Sequence, residues 1–481
     1  LAAALSLPAI GTAARPPSPS LRLLAVLHRV TAVRFGTDKH LYLSPGAYVA
    51  SVDGAFEIDA KRTPNGITLW QVQRDAHGVT PIRQITAPAP VHFAYGLPRL
   101  LHVVVRNSAG TAVLTKDLAA CLNGAFNPAR VDSSGPDQPS YPFDCGGPMS
   151  QGAVWGIDQG WANELFLDFN FTPPDGTYTL EVSIAPTYAT QLQIPDTSAK
   201  VSLQLVVTTV KDGGCGIGAN GCPPVYAADA ARSNATAGSS AAGAAGEGPR
   251  AATAGGTVSL EHVSGIPDMR ALPAHDLSIT HTKNGHDYLN FGATIWDAGS
   301  GPLVVEGFRS GDSETMNATQ FIYQDGHPVS SQPVGQFEFD HRRGHDHWHM
   351  ENIAQYDLLD LAGNQLVRSD KQSFCLAPTD AIDLTQPGAE WQPDRAGLWS
   401  ACQGEDAIWL REVLPAGWGD TYYQDVAGQS FDITKLANGH YQIRVTADPN
   451  NSLVESDYTN NTGLRTITLG GTPGHRTVKL G

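Results

Sequence analysis

Three histidines stand at every second position of GHDHWHMENIAQYDLLD, residues 344–360: His345, His347 and His349. The whole chain holds only 16 histidines in 481 residues, so this crowding suggests a shared task. Imidazole nitrogens suit Cu(II), Zn(II) and Ni(II). The competing reading is one polar face of an ordinary strand, although such faces more typically carry Thr, Lys or Gln. Alternate residues of a strand share a face, so a neighbouring H-x-H pair can hold one ion. Three on a flat strand cannot, because the outer two lie roughly 13 Å apart at about 3.3 Å per residue. Convergence of all three therefore requires a bend, for which Gly344 and the crowded His341-Arg342-Arg343 offer a place. His341 is a candidate fourth ligand or supporting group, His286 in NGHDY reads as a turn residue, and Met350 as core packing. Three imidazoles alone leave the metal open. A hydrolytic zinc site wants a carboxylate base; Glu351 shares the histidine face of a strand, whereas Asp346 points away. An oxidative copper site wants a redox-active aromatic partner.

The elements that must position such ligands read as strands. Glycine (50) and proline (33) are plentiful and only 16% of residues are charged, while short Val/Thr/Tyr/Trp runs alternate with turn residues. HYQIRVTAD puts Tyr441, Ile443 and Val445 on one face and Gln442, Arg444 and Thr446 on the other. ANGHY reads as a turn joining antiparallel strands. The expected fold class is all-β, with two tandem β-sandwich-like domains from an internal duplication. YLSPGAYVASVDG from Tyr42 matches YLNFGATIWDAGSGP from Tyr288. VVVRNSAGTAVLTKDLAACL, ending at Leu122, matches YDLLDLAGNQLVRSDKQSFCL, ending at Leu376. An Ala/Gly/Ser-rich linker, residues 227–257, separates a first domain (21–226) from a second (258–481). A duplicated framework keeps its staples, which predicts the disulfides Cys121–Cys145 and Cys375–Cys402; Cys215–Cys222, in CGIGANGC, would close a small loop.

Residues 1–20 read as a signal-peptide remnant and disordered N-terminus. Six cysteines suit an oxidising compartment, so a secreted, extracellular protein is expected. No stretch has the apolar length of a membrane span. A formal net charge of −16 argues against nucleic acid as a partner and is compatible with cationic amines.

With these residues in view, HRRGHDHWHMENIAQYDLLD followed by SDKQSFCL resembles the copper-binding and cofactor region of lysyl oxidases. In that family a histidine-rich H-x-H-Y-H segment precedes YDLLD, and a lysine stands four residues before the Cys of SFCL, as Lys371 does here. GDTYYQD, carrying the family's D-T-Y, then FDIT and ESDYTNN follow in the family's order, so the resemblance covers about residues 260–470. It implies a copper amine oxidase with a lysine tyrosylquinone cofactor. Carried over by motif, His345, His347 and His349 are the copper ligands, Lys371 the cross-linking lysine and Tyr422 the quinone precursor, with Tyr423 as its rival. The implied partners are O2 and a primary amine, peptidyl lysine or a small amine, converted to an aldehyde with release of H2O2 and ammonia. Three departures stand out. Trp348 replaces the family's Tyr, the spacing from His341 to His345 is one residue longer, and Gln355 stands where many animal members have a histidine. The catalytic base is therefore open, with Asp425 and His341 as candidates.

The first copy lacks these features. PVHFAYGLPRLLH stands where the histidine cluster would be, Leu165 aligns with Tyr422, and Lys116 has no tyrosine partner. Two other readings compete with the oxidase: a non-enzymatic extracellular binding module with a structural metal at the histidines, and a zinc hydrolase. Only the oxidase requires Lys371 and Tyr422 to meet.

Overall fold

The structure is a computed structural model that describes residues 18–35, 40–43, 45–75, 77–124, 128–165, 167–170, 173–210, 263–310, 313–341, 346–369, 373–395, 397–426 and 428–481. Residues 1–17, the Cys215–Cys222 pair, the linker 227–257, His345 and Lys371 lie outside the described residues. As expected, the chain is all-β, its strands gathered into several sheets. The N-terminal half (to residue 210) and the C-terminal half (from residue 263) each enclose a large apolar core, built on Phe56, Trp155 and Leu180 in one and on Phe291, Phe337, Trp348 and Ile443 in the other.

The alternating pattern does what its period requires. In Gly439–Ala447, Tyr441, Ile443, Val445 and Ala447 are buried while the residues between them are more exposed. ANGHY, however, closes no hairpin. Ser430–Asp432 pairs with Asp287–Asp297, whereas Gly439–Ala447 pairs in another sheet with Ala354–Leu359 and Thr462–Thr472. Between them Ile433 is fully buried, and the Arg476 guanidinium donates to the carbonyls of Thr434 and Leu436, so the chain crosses between sheets instead of reversing.

The two halves share strand orders. In the first, Ala112–Ala120, Leu97–Arg106, Gly176–Ile184 and Lys200–Val210 lie side by side in that order; in the second, Gln365–Arg368, Ala354–Leu359, Gly439–Ala447 and Thr462–Thr472 do the same. A second pair of sheets runs Gly152–Ile157, Phe56–Thr63, Gly66–Asp75, Gly78–Ile85 against Trp409–Leu414, Leu303–Arg309, Thr315–Gln324, His327–Asp340. The C-terminal sheet then adds one further edge strand, His347–Met350. Both expected disulfides among the described cysteines are present, Cys121–Cys145 and Cys375–Cys402, each with Cα atoms 5.7 Å apart.

Buried carboxyls give the fold a pH dependence. Burial pushes Asp59 up to about 7 and Asp297 up to about 8, the latter even though it accepts backbone N–H bonds from Asp268, Gly299 and Leu303. Asp357 is also buried, which pushes it up, but bonds from Arg444, Arg368 and Gln355 prevail and hold it below the usual range. For Asp59 and Asp297 the folded pKa exceeds the unfolded value of about 3.9. Their contribution is therefore complete below about pH 4 and is lost as pH rises toward 8. For Asp357 the sign reverses: its contribution is present above about pH 4 and is lost in stronger acid. The urea midpoint is expected to be higher at pH 5 than at either pH 8 or pH 3. A midpoint that rises from pH 5 to pH 8 would contradict these assignments.

Candidate metal and tyrosine site

His347–Met350 is held along both edges. On one side it pairs with His327–Asp340, matching Asp340 with His347, Phe339 with Trp348, Glu338 with His349 and Phe337 with Met350. On the other, Met350 and Phe374 exchange backbone bonds of 2.7 and 3.2 Å, and the Trp348 N–H donates to the Cys402 carbonyl at 3.0 Å. The two stretches that cover this outer edge are those joined by the Cys375–Cys402 disulfide, so the edge is occupied and stapled. Alternation turns Trp348 and Met350 into the core, where burial of apolar area at about 25 cal/mol per Å² anchors the strand. His347 and His349 take the opposite face.

On that face the two Nε2 atoms lie 2.9 Å apart, with ring planes 64° apart. Imidazole nitrogens that face each other so closely share either a proton or a cation. His349 is 1% exposed, and its Nδ1 lies 3.5 Å from the Asp340 carboxylate. A carboxylate on the Nδ1 side, where it accepts that N–H, leaves Nε2 for a metal. Two nitrogens bound at about 2.0–2.1 Å to one ion are roughly 2.9 Å apart when they subtend a right angle, so the donor pair fits a metal. The bend expected at Gly344 and His341-Arg342-Arg343 falls largely outside the described residues; next to them Asp346, between His345 and His347, has φ +38°, outside extended geometry.

Tyr422 ends the strand Trp418–Tyr422 and is half-buried, its ring 4.4 Å from Phe374 in an edge-on contact at 68°. Its hydroxyl donates to the Cys375 carbonyl at 3.3 Å. The histidine strand and Tyr422 therefore meet through one short stretch, Phe374-Cys375. Burial, followed by the negative charges of Asp420 and Glu412, holds the Tyr422 phenol well above its ordinary pKa. Tyr423, on the other face, is 43% exposed. Glu412 is fully buried; one oxygen accepts the Leu376 N–H at 3.0 Å and the other has no hydrogen-bond partner among the described residues. Burial pushes its carboxyl well above the usual range. Its oxygen and both Sγ atoms lie within 4.8 Å of one another, but the sulfurs are bonded to each other and offer no thiolate to a metal.

The structure thus brings His347, His349 and Tyr422 to one region; His345 and Lys371 fall outside the described residues. The candidate bases are not drawn in. Asp425 is exposed, and His341 is exposed with its ring 4.9 Å from Phe339. Gln355 donates to Asp357 at 2.8 Å, on the strand face opposite Tyr356, whose ring belongs to the Phe291–Phe374 cluster. Glu351 follows the strand in a turn, and burial beside Glu338 raises its pKa. His286 follows a turn, as expected, and bonds Asp432 at 2.9 Å; Met350 is core. Sequence reasoning missed Asp340 and Glu412. FEFD alternates, so Asp340 was legible as polar, but its partner depends on register across the loop.

The family model described as lysyl oxidase matches residues 315–475. Lysyl oxidase homolog 2 of Bos taurus is 36% identical over 118 residues, 24% of this chain and 13% of that protein. Lysyl oxidase homolog 2A of Danio rerio is 34% identical over 138 residues (27% and 17%), and lysyl oxidase homolog 4 of Mus musculus 31% over 141 (29% and 17%). The chain therefore spans under a fifth of the length of these relatives. Among solved structures, a tetra-tandem repeat from the extending region of a large adhesion protein aligns over 92% of this chain and all of its own at 8% identity, with a TM-score of 0.11, which bears on nothing further. The matched segment contains the histidine strand, both ends of the Cys375–Cys402 disulfide and Tyr422, so residues 315–475 are the part of the chain that is similar to lysyl oxidases.

Proposed function

We propose that the C-terminal half is a copper-dependent amine oxidase. It would convert a primary amine, O2 and water to an aldehyde, H2O2 and ammonia. The observation that carries this reading is the convergence of the His347 and His349 Nε2 atoms on a strand whose outer edge bonds Phe374, the residue that packs on Tyr422. His345, His347 and His349 would hold copper, with Asp340 orienting His349. Copper there would supply one-electron chemistry with O2, and a lysine tyrosylquinone made from Lys371 and Tyr422 would take up the amine's electrons. The chain's own part is to hold Tyr422 against Phe374 and the Cys375 carbonyl, and to bury it from bulk water. The net acidity favours approach of a cationic amine, whether peptidyl lysine or a small amine.

The shared strand orders support an origin by duplication, with domains at 21–226 and 258–481 and a linker at 227–257. Under that reading the first domain kept the scaffold without the ligand strand, and buried Leu165 stands where Tyr422 does, counting from Trp161 and Trp418. Two disulfides support an extracellular location. Among the described residues no helix is long and apolar enough to cross a membrane.

The test is peptide mass analysis of copper-loaded protein, combined with a peroxide assay on primary amines. The expected result is a Lys371–Tyr422 cross-link together with amine-dependent peroxide. Both residues unmodified, with no peroxide formed, would favour the binding module with a structural metal.

A further inference from the structure

The function proposed above assigns no task to the N-terminal half. Its contacts with the C-terminal half are concentrated on one segment, residues 379–392. One edge of that segment holds the strand of Tyr422. Asp380–Ala381 pairs with Gly419 and Trp418. The Thr379 N–H and hydroxyl both donate to the Gly419 carbonyl, at 3.0 and 3.2 Å, and the same hydroxyl accepts the Thr421 N–H at 2.8 Å. Thr379 and Asp380–Ala381 thus hold one edge of the strand of Tyr422, whose other edge pairs with Asp287–Asp297, Ala293 opposite Tyr422.

The other edge of the segment is fixed by the N-terminal half. The Gln151 and Gly152 N–H groups donate to the Ile382 carbonyl at 2.6 and 3.1 Å, and the Leu384 N–H donates to the Gly152 carbonyl at 3.0 Å. The Ser150 hydroxyl donates to the Ala381 carbonyl at 2.7 Å. The approach at Gly152 is so close that a Cβ there would lie 2.1 Å from Asp383 Oδ1 and 2.6 Å from Thr385 Oγ1. Further along the segment, Trp391 stacks on Tyr141 with centroids 5.4 Å apart, and the Arg74 guanidinium lies 5.1 Å from the Trp391 ring centroid. Gln392 donates to the carbonyls of Pro139 and Tyr141 at 2.9 and 2.8 Å. Tyr141, Val154 and Leu384 form a small buried cluster spanning both halves, against which Trp391 and Trp418 pack.

We infer that the N-terminal half is a positioning element for Tyr422: its Gly152–Ile157 edge and Tyr141 hold the 379–392 segment, which in turn sets the strand Trp418–Tyr422. The two halves then form one working unit, with the half that lacks ligands holding part of the wall of the half that has them. Its importance for turnover rests on the oxidase reading; the mechanical claim does not.

The experiment uses full-length chain and compares wild type with Trp391→Ala, Trp391→Phe and Gln392→Ala. None of these residues lies among the metal ligands or touches Tyr422. Hydrogen exchange is read at the Thr421 and Gly419 amides, and at the Met350 and Phe374 amides as an internal control. In W391A, exchange at Thr421 is expected to rise at least tenfold while Met350 and Phe374 and the bound copper stay unchanged. W391F, which keeps a ring on Tyr141, should restore protection, and Q392A should give a smaller rise. In cross-linked protein the yield of the Lys371–Tyr422 link should fall in the same order. Unchanged protection at Thr421 in both W391A and Q392A would overturn the inference. If W391A loses protection everywhere, it has unfolded globally, and Q392A and W391F decide. A wild type without cross-link would defeat the oxidase reading and leave the exchange result to stand by itself.

Discussion

Tyr422→Phe is expected to reduce amine-dependent peroxide formation to the assay floor, a loss of at least about a thousandfold of the kind seen when a group essential to the chemistry is removed. The protein should remain folded. The substitution deletes one 3.3 Å hydrogen bond to the Cys375 carbonyl, worth roughly 0.5–1.5 kcal/mol. The ring keeps its edge-on contact with Phe374 at 4.4 Å. Tyr423→Phe is the matched control, because that side chain is 43% exposed and lies on the other face of the strand. A peroxide-coupled assay beside a thermal melt and intact mass separates the two. Retained turnover in Y422F with loss in Y423F would move the precursor to the neighbouring residue.

The second large effect concerns the metal. His349→Ala removes a proposed ligand that is 1% exposed and leaves His347 without the nitrogen that faces it at 2.9 Å. Copper should no longer be retained through gel filtration, and turnover should vanish. Asp340→Asn is subtler: it keeps the shape and removes the charge that lies 3.5 Å behind His349 Nδ1. Loss of such a supporting carboxylate typically costs about 10–100-fold in metal affinity, so a competition titration should register a weaker site that excess copper refills. H349A should not be rescued in this way. Equal copper affinity in D340N and wild type would show that Asp340 does not orient the ring.

The local sequence determined a good deal, because its signals are short-range. Period-two alternation needs only neighbouring residues, so the buried row Tyr441, Ile443, Val445 was legible. So was the common face of His347 and His349, and so were the two disulfides among the described residues, through matched cysteine spacing. The need for a bend before His347 followed from strand rise alone; Asp346 has φ +38°, while His345 lies outside the described residues. ANGHY misled for the opposite reason. Its turn residues are real, but which strands a turn connects is decided by where Ile433 finds a core and Arg476 finds carbonyls, and neither is a neighbour in sequence.

What the tertiary structure alone decided depends on register and packing between distant segments. Asp340 faces the histidines only because it is paired with His347 across a loop. Glu412 becomes a carboxyl of raised pKa near Tyr422 only because the fold seals it there. Gln355 drew attention by its position before YDLLD, yet strand alternation turns it toward Asp357 and away from the tyrosine cluster. The sequence thus named the candidate donor residues and their likeness to lysyl oxidases. That Tyr422, the histidine strand, the disulfide and the N-terminal half bear on one another is a property of the folded chain. Those contacts join residues up to more than two hundred positions apart, such as Tyr141 and Trp391, and no local periodicity encodes them.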